Sequence, residues 1–344
     1  MVDGSGRQSR PWAAGSASGV GSLPGRDIRE AVRTVLGELP ALPHLPELPG
    51  RGAGSDMVGR TLPLLVDLHA DLQPAGWRLT DRPGRDVRRA AATLAGDLDT
   101  LEELTQGYTG PLKAQVTGCW TLAATVERPR GGPVLGDAGA CRDLADSLRE
   151  GVAAHVAALR HRVPGADLVL QLDEPALPGV LAGRVPTASG FDVVGAVEPV
   201  LAAERLRGLV EAARSAGAAA VLVHCCAARP PLEVIQRAGA DAASVDFDLL
   251  TEAEDEPVGT MIEAGLELFA GVVPARDAPL SAAAGSVAGV RSLWRRLGFA
   301  PETLAHRVVI TPTCGLAGAS PAYARTAMAH ARAAARELVD SPEG

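Results

Sequence analysis

Three shortages in the sequence each remove a class of function. The 33 basic side chains include one lysine, Lys113, the rest being arginine, so Schiff-base or phosphate-loop chemistry would rest on that single residue. Clustered basic residues are missing and the formal net charge is -8, which leaves no footprint for nucleic acid or an anionic membrane surface. No apolar run approaches the ~20 residues of a bilayer span. The opening residues MVDGSGRQSRPW lack the apolar centre of a secretion signal, so a cytoplasmic protein is expected. The five cysteines, Cys119, Cys141, Cys225, Cys226 and Cys314, then stay reduced, and a disulfide framework is not expected.

What is present is a long alternation of short apolar runs and amphipathic stretches. The chain has 344 residues, 47% of them hydrophobic, enough for one large domain. The second half shows the pattern best. Strand patterns at 167–172, 219–224, 242–247, 266–272 and 307–312 are separated by helical patterns such as 198–217, 230–239 and 286–298, and the helix 320–339 closes the series. The first half offers a strand at 19–24, a helix at 26–39, a Pro/Gly-rich and mobile stretch at 39–55, and a helix from about Asp56 to Leu72. Next come a loop holding Trp77, a helix ending near Gln106, a strand at 111–118 and a long helix at 136–162. Apolar runs buried on both faces and separated by helices describe a parallel sheet. About eight such units with no boundary between halves predict an α/β fold, a (β/α)8 TIM barrel in a single domain over residues 19–344, with 1–18 a flexible segment. An open doubly wound sheet would usually carry a Gly-rich dinucleotide turn, and none follows the first strand.

In such a barrel the chemistry sits at the C-terminal ends of the strands. His224-Cys225-Cys226 follows one strand, Asp246 ends the next, and Cys314 follows the last; Asp173 ends the strand at 167–172, and Gly21-Ser22 the first. One imidazole, two thiols and a carboxylate form a tetrahedral zinc set. His224 and Cys226, two apart on an irregular strand end, can turn to one ion, and Cys225 then points into packing.

VLVHCCA, ASVDF and ITPTCGL resemble the zinc-binding segments of the cobalamin-independent methionine synthase family, whose pattern is H-x-C, a carboxylate on the next strand and a late P-x-C-G-L. GVGSLP, LDEPAL, SDMV and TGPLKAQVTGCW resemble further segments of the catalytic barrel, in a short form without the family's second, N-terminal barrel. The resemblance implies that His224, Cys226 and Cys314 ligate Zn2+, with Asp246 where the family has the longer Glu. It implies that Val20, Gly21 and Ser22 hold the carboxylate of homocysteine, that Asp173 contacts its amine, and that Trp120 stacks on a pterin. A zinc ion with two thiolates suits activation of a third, substrate thiol, which stays nucleophilic when deprotonated near neutral pH.

Three positions depart from the family. Arg276 stands where the family has its proton-donating His; arginine keeps its proton at neutral pH, so Asp277 beside it becomes the candidate acid. Gly179 replaces a Glu that contacts the pterin, and Arg51 aligns with a Glu near the homocysteine amine. The resemblance thus implies a methyltransferase that makes a zinc thiolate of homocysteine. The donor it implies is methyltetrahydrofolate; with the donor-side residues changed, a methylated corrinoid or a methyl delivered by a partner protein, where no nitrogen needs protonating, is the other expectation. Two alternatives stay open: alkyl transfer to another thiol, as in the coenzyme M transferases of this superfamily, where Arg51 and Arg276 would suit an anionic thiol, and a non-catalytic zinc- or thiol-binding relative. A metal-free decarboxylase on the same barrel has no use for the three metal-competent strand ends. Bland roles remain for Trp77 as a loop residue covering a helix, for His69 and His155 on helix faces, and for His44 in the Pro-rich stretch.

Overall fold

Residues Leu168, Leu170 and Leu172 alternate with Val169, Gln171 and Asp173, and all six are buried. The leucines pack outward into the large cluster shared with the helices, so their partners of opposite parity face the barrel interior. The same two-sided burial recurs along the sheet. It explains why these strands read as near-continuous apolar runs.

The computed structural model describes residues 10–344. Its strands are β1 (His69–Gln73), β2 (Gly76–Thr80), β3 (Gly110–Thr117), β4 (Ala166–Asp173), β5 (Ala220–Cys225), β6 (Ala242–Asp246), β7 (Glu267–Val273) and β8 (Val308–Pro312). The last six form one parallel sheet in sequence order. Helices Ile28–Glu38, Arg85–Leu104, Ala138–Arg162, Pro199–Ser215, Ala288–Leu297 and Pro321–Asp340 are the longer members of the surrounding layer.

Two irregular segments close the sheet. Ala17 bridges Ile310 of β8, His44 bridges Lys113 of β3, and Ser22 bridges Glu47 between them. The hydrogen bonds Ser18 N to Ile310 O (3.0 Å), Leu45 N to Lys113 O (2.8 Å) and Leu23 N to Glu47 O (2.8 Å) complete the ring. Eight walls thus surround one interior, as expected of a (β/α)8 barrel, but two of them are too irregular to count as strands.

Three sequence expectations change. The stretch 39–55 is no mobile loop: Leu39, Leu42, Leu45 and Leu48 are buried, each followed by proline, and the segment is the second wall of the barrel. Prolines suit it because Leu45 and Glu47 supply the N–H groups that the wall donates to its two neighbours. The helix expected over 56–72 stops at Thr61 after five residues, and an antiparallel hairpin β1–β2 follows, with Trp77 on β2 only 5% exposed. Finally, residues 10–18 are built into the barrel rather than flexible, while 1–9 lie outside the described residues. Trp12 is buried edge-on against Phe269, 5.2 Å between centroids, and donates its indole N–H to Glu267 at 2.5 Å. With Val169, Ala220, Leu222 and Ala242 it fills the interior below the site.

Candidate metal centre and its pocket

The ends of β5 and β8 bring His224, Cys226 and Cys314 together, with one ligand atom of each within 4.8 Å of the others. The sulfurs of Cys314 and Cys226 are 3.2 Å apart and share a hydrogen bond. That bond, helped by His224, holds the Cys314 thiol well below the usual thiol range, and raises Cys226. His224 is 3% exposed. Its Nδ1 meets Ser244 Oγ at 2.9 Å, while its Nε2 is buried without a partner. An imidazole nitrogen with no protein partner, facing two thiols, is the donor set of a soft divalent cation. Ser244 then plays the usual outer part, fixing the ring by the nitrogen that does not ligate.

Asp246 is not a member of that group. Its carboxylate accepts from Asp248 N at 3.1 Å, capping the short turn Phe247–Leu249. It still lies close enough to feel Cys314 and His224, although burial is the main reason its carboxyl rises to about 6. Cys225 is fully buried, as expected.

Asp173 pairs with His224 across the β4–β5 ladder. It is 5% exposed, and burial raises its carboxyl toward neutrality against the pull of His224. Val20, Gly21 and Ser22 run alongside: Ser22 O accepts Leu316 N at 2.7 Å, and a Cβ on Gly315 would stand 2.1 Å from Ser22 Oγ. The glycine after Cys314 therefore lets the Ser22 segment dock on the thiol loop.

Other expected residues are placed elsewhere. Arg51 is committed to Asp97 through two bonds of 2.7 and 2.6 Å, and Arg60 joins the same carboxylate. Trp120 is 3% exposed in the core, with its N–H on Ala202 O at 3.1 Å, so it offers no face for stacking. Glu174 explains the adjacent motif: it accepts Trp120 N (3.0 Å), Thr121 N (2.7 Å) and Thr121 Oγ1 (2.8 Å), holding the start of helix Cys119–Thr125. Arg276 is exposed. Asp277, also exposed, accepts Ser320 N at 2.8 Å, and this bond holds its carboxyl below the ordinary range. It is ionised at neutral pH and has no proton to give.

The residues missed in the sequence are interior polar groups at period two: Lys113 and Gln115 on β3, and Gln171 on β4, with Glu47 on the second wall. Lys113 is fully buried and Glu47 is 5% exposed. Glu47 lies near Arg60, Asp173 and Lys113, and burial pushes it up to about 7. The alternation K-x-Q and Q-x-D inside otherwise apolar strands was the available signal.

The family described as cobalamin-independent synthase, catalytic domain, matches residues 16–337. No curated protein matches the chain. The solved structure of a B12-independent methionine synthase from Shewanella sp. W3-18-1, in complex with selenomethionine, superposes with a TM-score of 0.63 at 13% identity, covering 95% of this chain and 98% of that one. A 2,3-dimethylmalate lyase covers 90% of this chain and 79% of its own at 13% identity, but its TM-score of 0.40 carries no argument.

Proposed function

The chain belongs to the cobalamin-independent synthase catalytic-domain family and is a methyltransferase, and from that premise we propose that it methylates the sulfur of homocysteine at a zinc ion held by His224, Cys226 and Cys314. The observation that carries this reading is the adjacency of two different grips. An unpartnered buried imidazole nitrogen faces two thiols, and a buried carboxylate, Asp173, pairs with that same histidine across the ladder.

The zinc supplies Lewis acidity that lowers the pKa of a substrate thiol, so that it is a nucleophile near neutral pH. The chain's own residues do the rest. Asp173 receives the ammonium group, and Glu47, missed in the sequence, stands in for the Glu that Arg51 replaced. The Val20–Ser22 backbone with the Ser22 hydroxyl receives the carboxylate. The selenomethionine in the Shewanella structure is a selenium analogue of the thioether product, which agrees with a pocket for an amino acid. An anionic sulfonate thiol would need a free cation here; Arg51 is spent on Asp97, and the buried groups include the carboxylates Asp173, beside His224, and Glu47, beside Asp173.

The donor side favours a second specification. The substrate sulfur forms its bond to the methyl carbon while the donor keeps the old bonding pair. A nitrogen donor such as methyltetrahydrofolate then needs a proton, and Arg276 and ionised Asp277 supply none. A methylcorrinoid leaves without protonation and fits these residues better. The test is metal content together with metal-edge absorption on adding homocysteine, followed by turnover with each donor. One zinc per chain and a new zinc–sulfur contact are expected, with faster turnover from methylcobalamin. Protein that binds no zinc overturns the central reading; turnover from methyltetrahydrofolate alone overturns the donor assignment.

A further inference from the structure

The only lysine of the sequence is fully buried on β3, inside the barrel. Burying an ammonium group is costly unless its donors are met and its charge is compensated. In a chain otherwise wholly dependent on arginine, that cost calls for a reason. Lys113 Nζ donates to the carbonyl of Val20 at 2.8 Å and to Gln171 Oε1 at 2.7 Å. Gln171 Nε2 donates in turn to Val20 O at 2.9 Å and to Asp173 Oδ1 at 2.7 Å. An ammonium has donors only, so it accepts just one orientation of the Gln171 amide: oxygen toward Nζ, nitrogen toward Asp173. With the amide reversed, an oxygen would face the carboxylate.

We propose that Lys113 is a positioning residue that staples together the two grips on the substrate amino acid: it fixes the Val20–Ser22 segment directly and the Asp173 carboxylate through Gln171. The proposal rests on the reading of those two elements as the carboxylate and amine sites. Lys113 touches neither substrate group. Its charge also offsets the buried carboxylates of Asp173 and Glu47, the groups that act on it most strongly after burial. An arginine fork would not reproduce this, because its planar donors differ in shape and reach. Gln171 is the branch point: losing it should release Asp173 and leave the Val20 carbonyl held by Lys113, whereas losing Lys113 should loosen both ends.

The single lysine makes the test unusually direct. Zinc-loaded full-length protein grown with 13C,15N-lysine should give one lysine side-chain resonance, which shifts when L-homocysteine is added. By calorimetry, Lys113→Met should weaken L-homocysteine about tenfold to a hundredfold, the scale of one charge-assisted hydrogen bond, with zinc content unchanged. It should also erase the preference of the wild type for homocysteine over both the desamino analogue and the decarboxylated analogue. Gln171→Met should erase only the first preference, and the double variant should discriminate against the desamino analogue no worse than Lys113→Met alone. If Lys113→Met does not fold, the selective loss in Gln171→Met carries the test. Wild-type affinity and selectivity in either variant overturn the staple. Wild-type protein that holds zinc but binds no homocysteine overturns the functional reading instead.

Discussion

The acceptor side and the donor side of this barrel are built from different material. Groups expected to hold the metal and the amino acid stand on strand ends or on walls bonded to strands, and most are buried: His224, Asp173, Val20 and Gly21. Groups expected to meet a methyl donor stand on loops or have been turned away. Arg276 and Asp277 are exposed, Gly179 has no side chain, and Trp120 is packed into the helix layer. Strand register fixes a side chain's direction to one of two faces, so an acceptor residue cannot drift without breaking the barrel. A loop residue is under no such constraint. The comparison teaches that the metal-competent groups stand where the fold enforces their direction, and the donor-side candidates where it does not.

The sharpest way to break that comparison is to remove a ligand. His224→Ala or Cys314→Ala should abolish stoichiometric metal and lower methyl transfer by more than about a hundredfold, since even an outer partner of a metal ligand is worth about 10–100-fold. Metal analysis and turnover check this. If either variant keeps both, the enforced side is not where the chemistry occurs. Asp173→Asn comes next: losing one buried charged hydrogen bond, about 1.5–3 kcal/mol, should raise the KM for homocysteine roughly ten- to a hundredfold while metal content holds.

The same contrast governs what the sequence could tell. Strand and helix periods placed Ala166–Asp173, Ala220–Cys225, Pro199–Ser215 and Pro321–Asp340 within a residue or two of their observed bounds, because burial on both faces leaves a strong signal. The H-x-C and C-G-L segments were readable for a related reason, since strand ends converge in any closed barrel. The second wall was not readable. Its proline every third residue has neither the period of a strand nor that of a helix, and only its bonds to Gly21 and Lys113 make it a wall. Composition singles out Lys113 as the lone lysine, but nothing in the sequence pairs it with Gln171 across two strands, and position alone does not give Arg51 its partner. Only the fold could show that Asp97 takes it.

Smaller effects refine the acceptor side. Ser244→Ala should loosen the ring of His224 and weaken metal affinity about tenfold, seen in competition with a chelator. Glu47 supplies a pH dependence. Its carboxyl, raised to about 7 by burial, must be ionised to hold an ammonium group, so affinity for the amino acid falls as pH drops through 7. Methionine is the ligand to use, because it has no thiol to titrate. Glu47→Gln should weaken binding above pH 7 and flatten the profile; an unchanged profile would remove Glu47 from the amine site.

The smallest effect belongs to the donor side, and it is the one that tests the contrast from the other end. Arg276→Ala and Asp277→Ala should leave affinity for homocysteine and methionine within about twofold of wild type, as expected of surface positions that meet neither grip. Asp277→Ala should nevertheless register in stability. Asp277 Oδ1 accepts Ser320 N just ahead of helix Pro321–Asp340, and this bond holds its folded carboxyl below the ordinary aspartate range. An acid depressed on folding contributes stability above its unfolded pKa and loses it as pH falls through the folded one. Wild type should therefore melt above the variant at neutral pH, and the two curves should converge in acid. A pH-independent gap would mean that the carboxylate is not the source, whereas loss of turnover from methyltetrahydrofolate in Asp277→Ala would return the residue to the reaction and erase the line between the two sides.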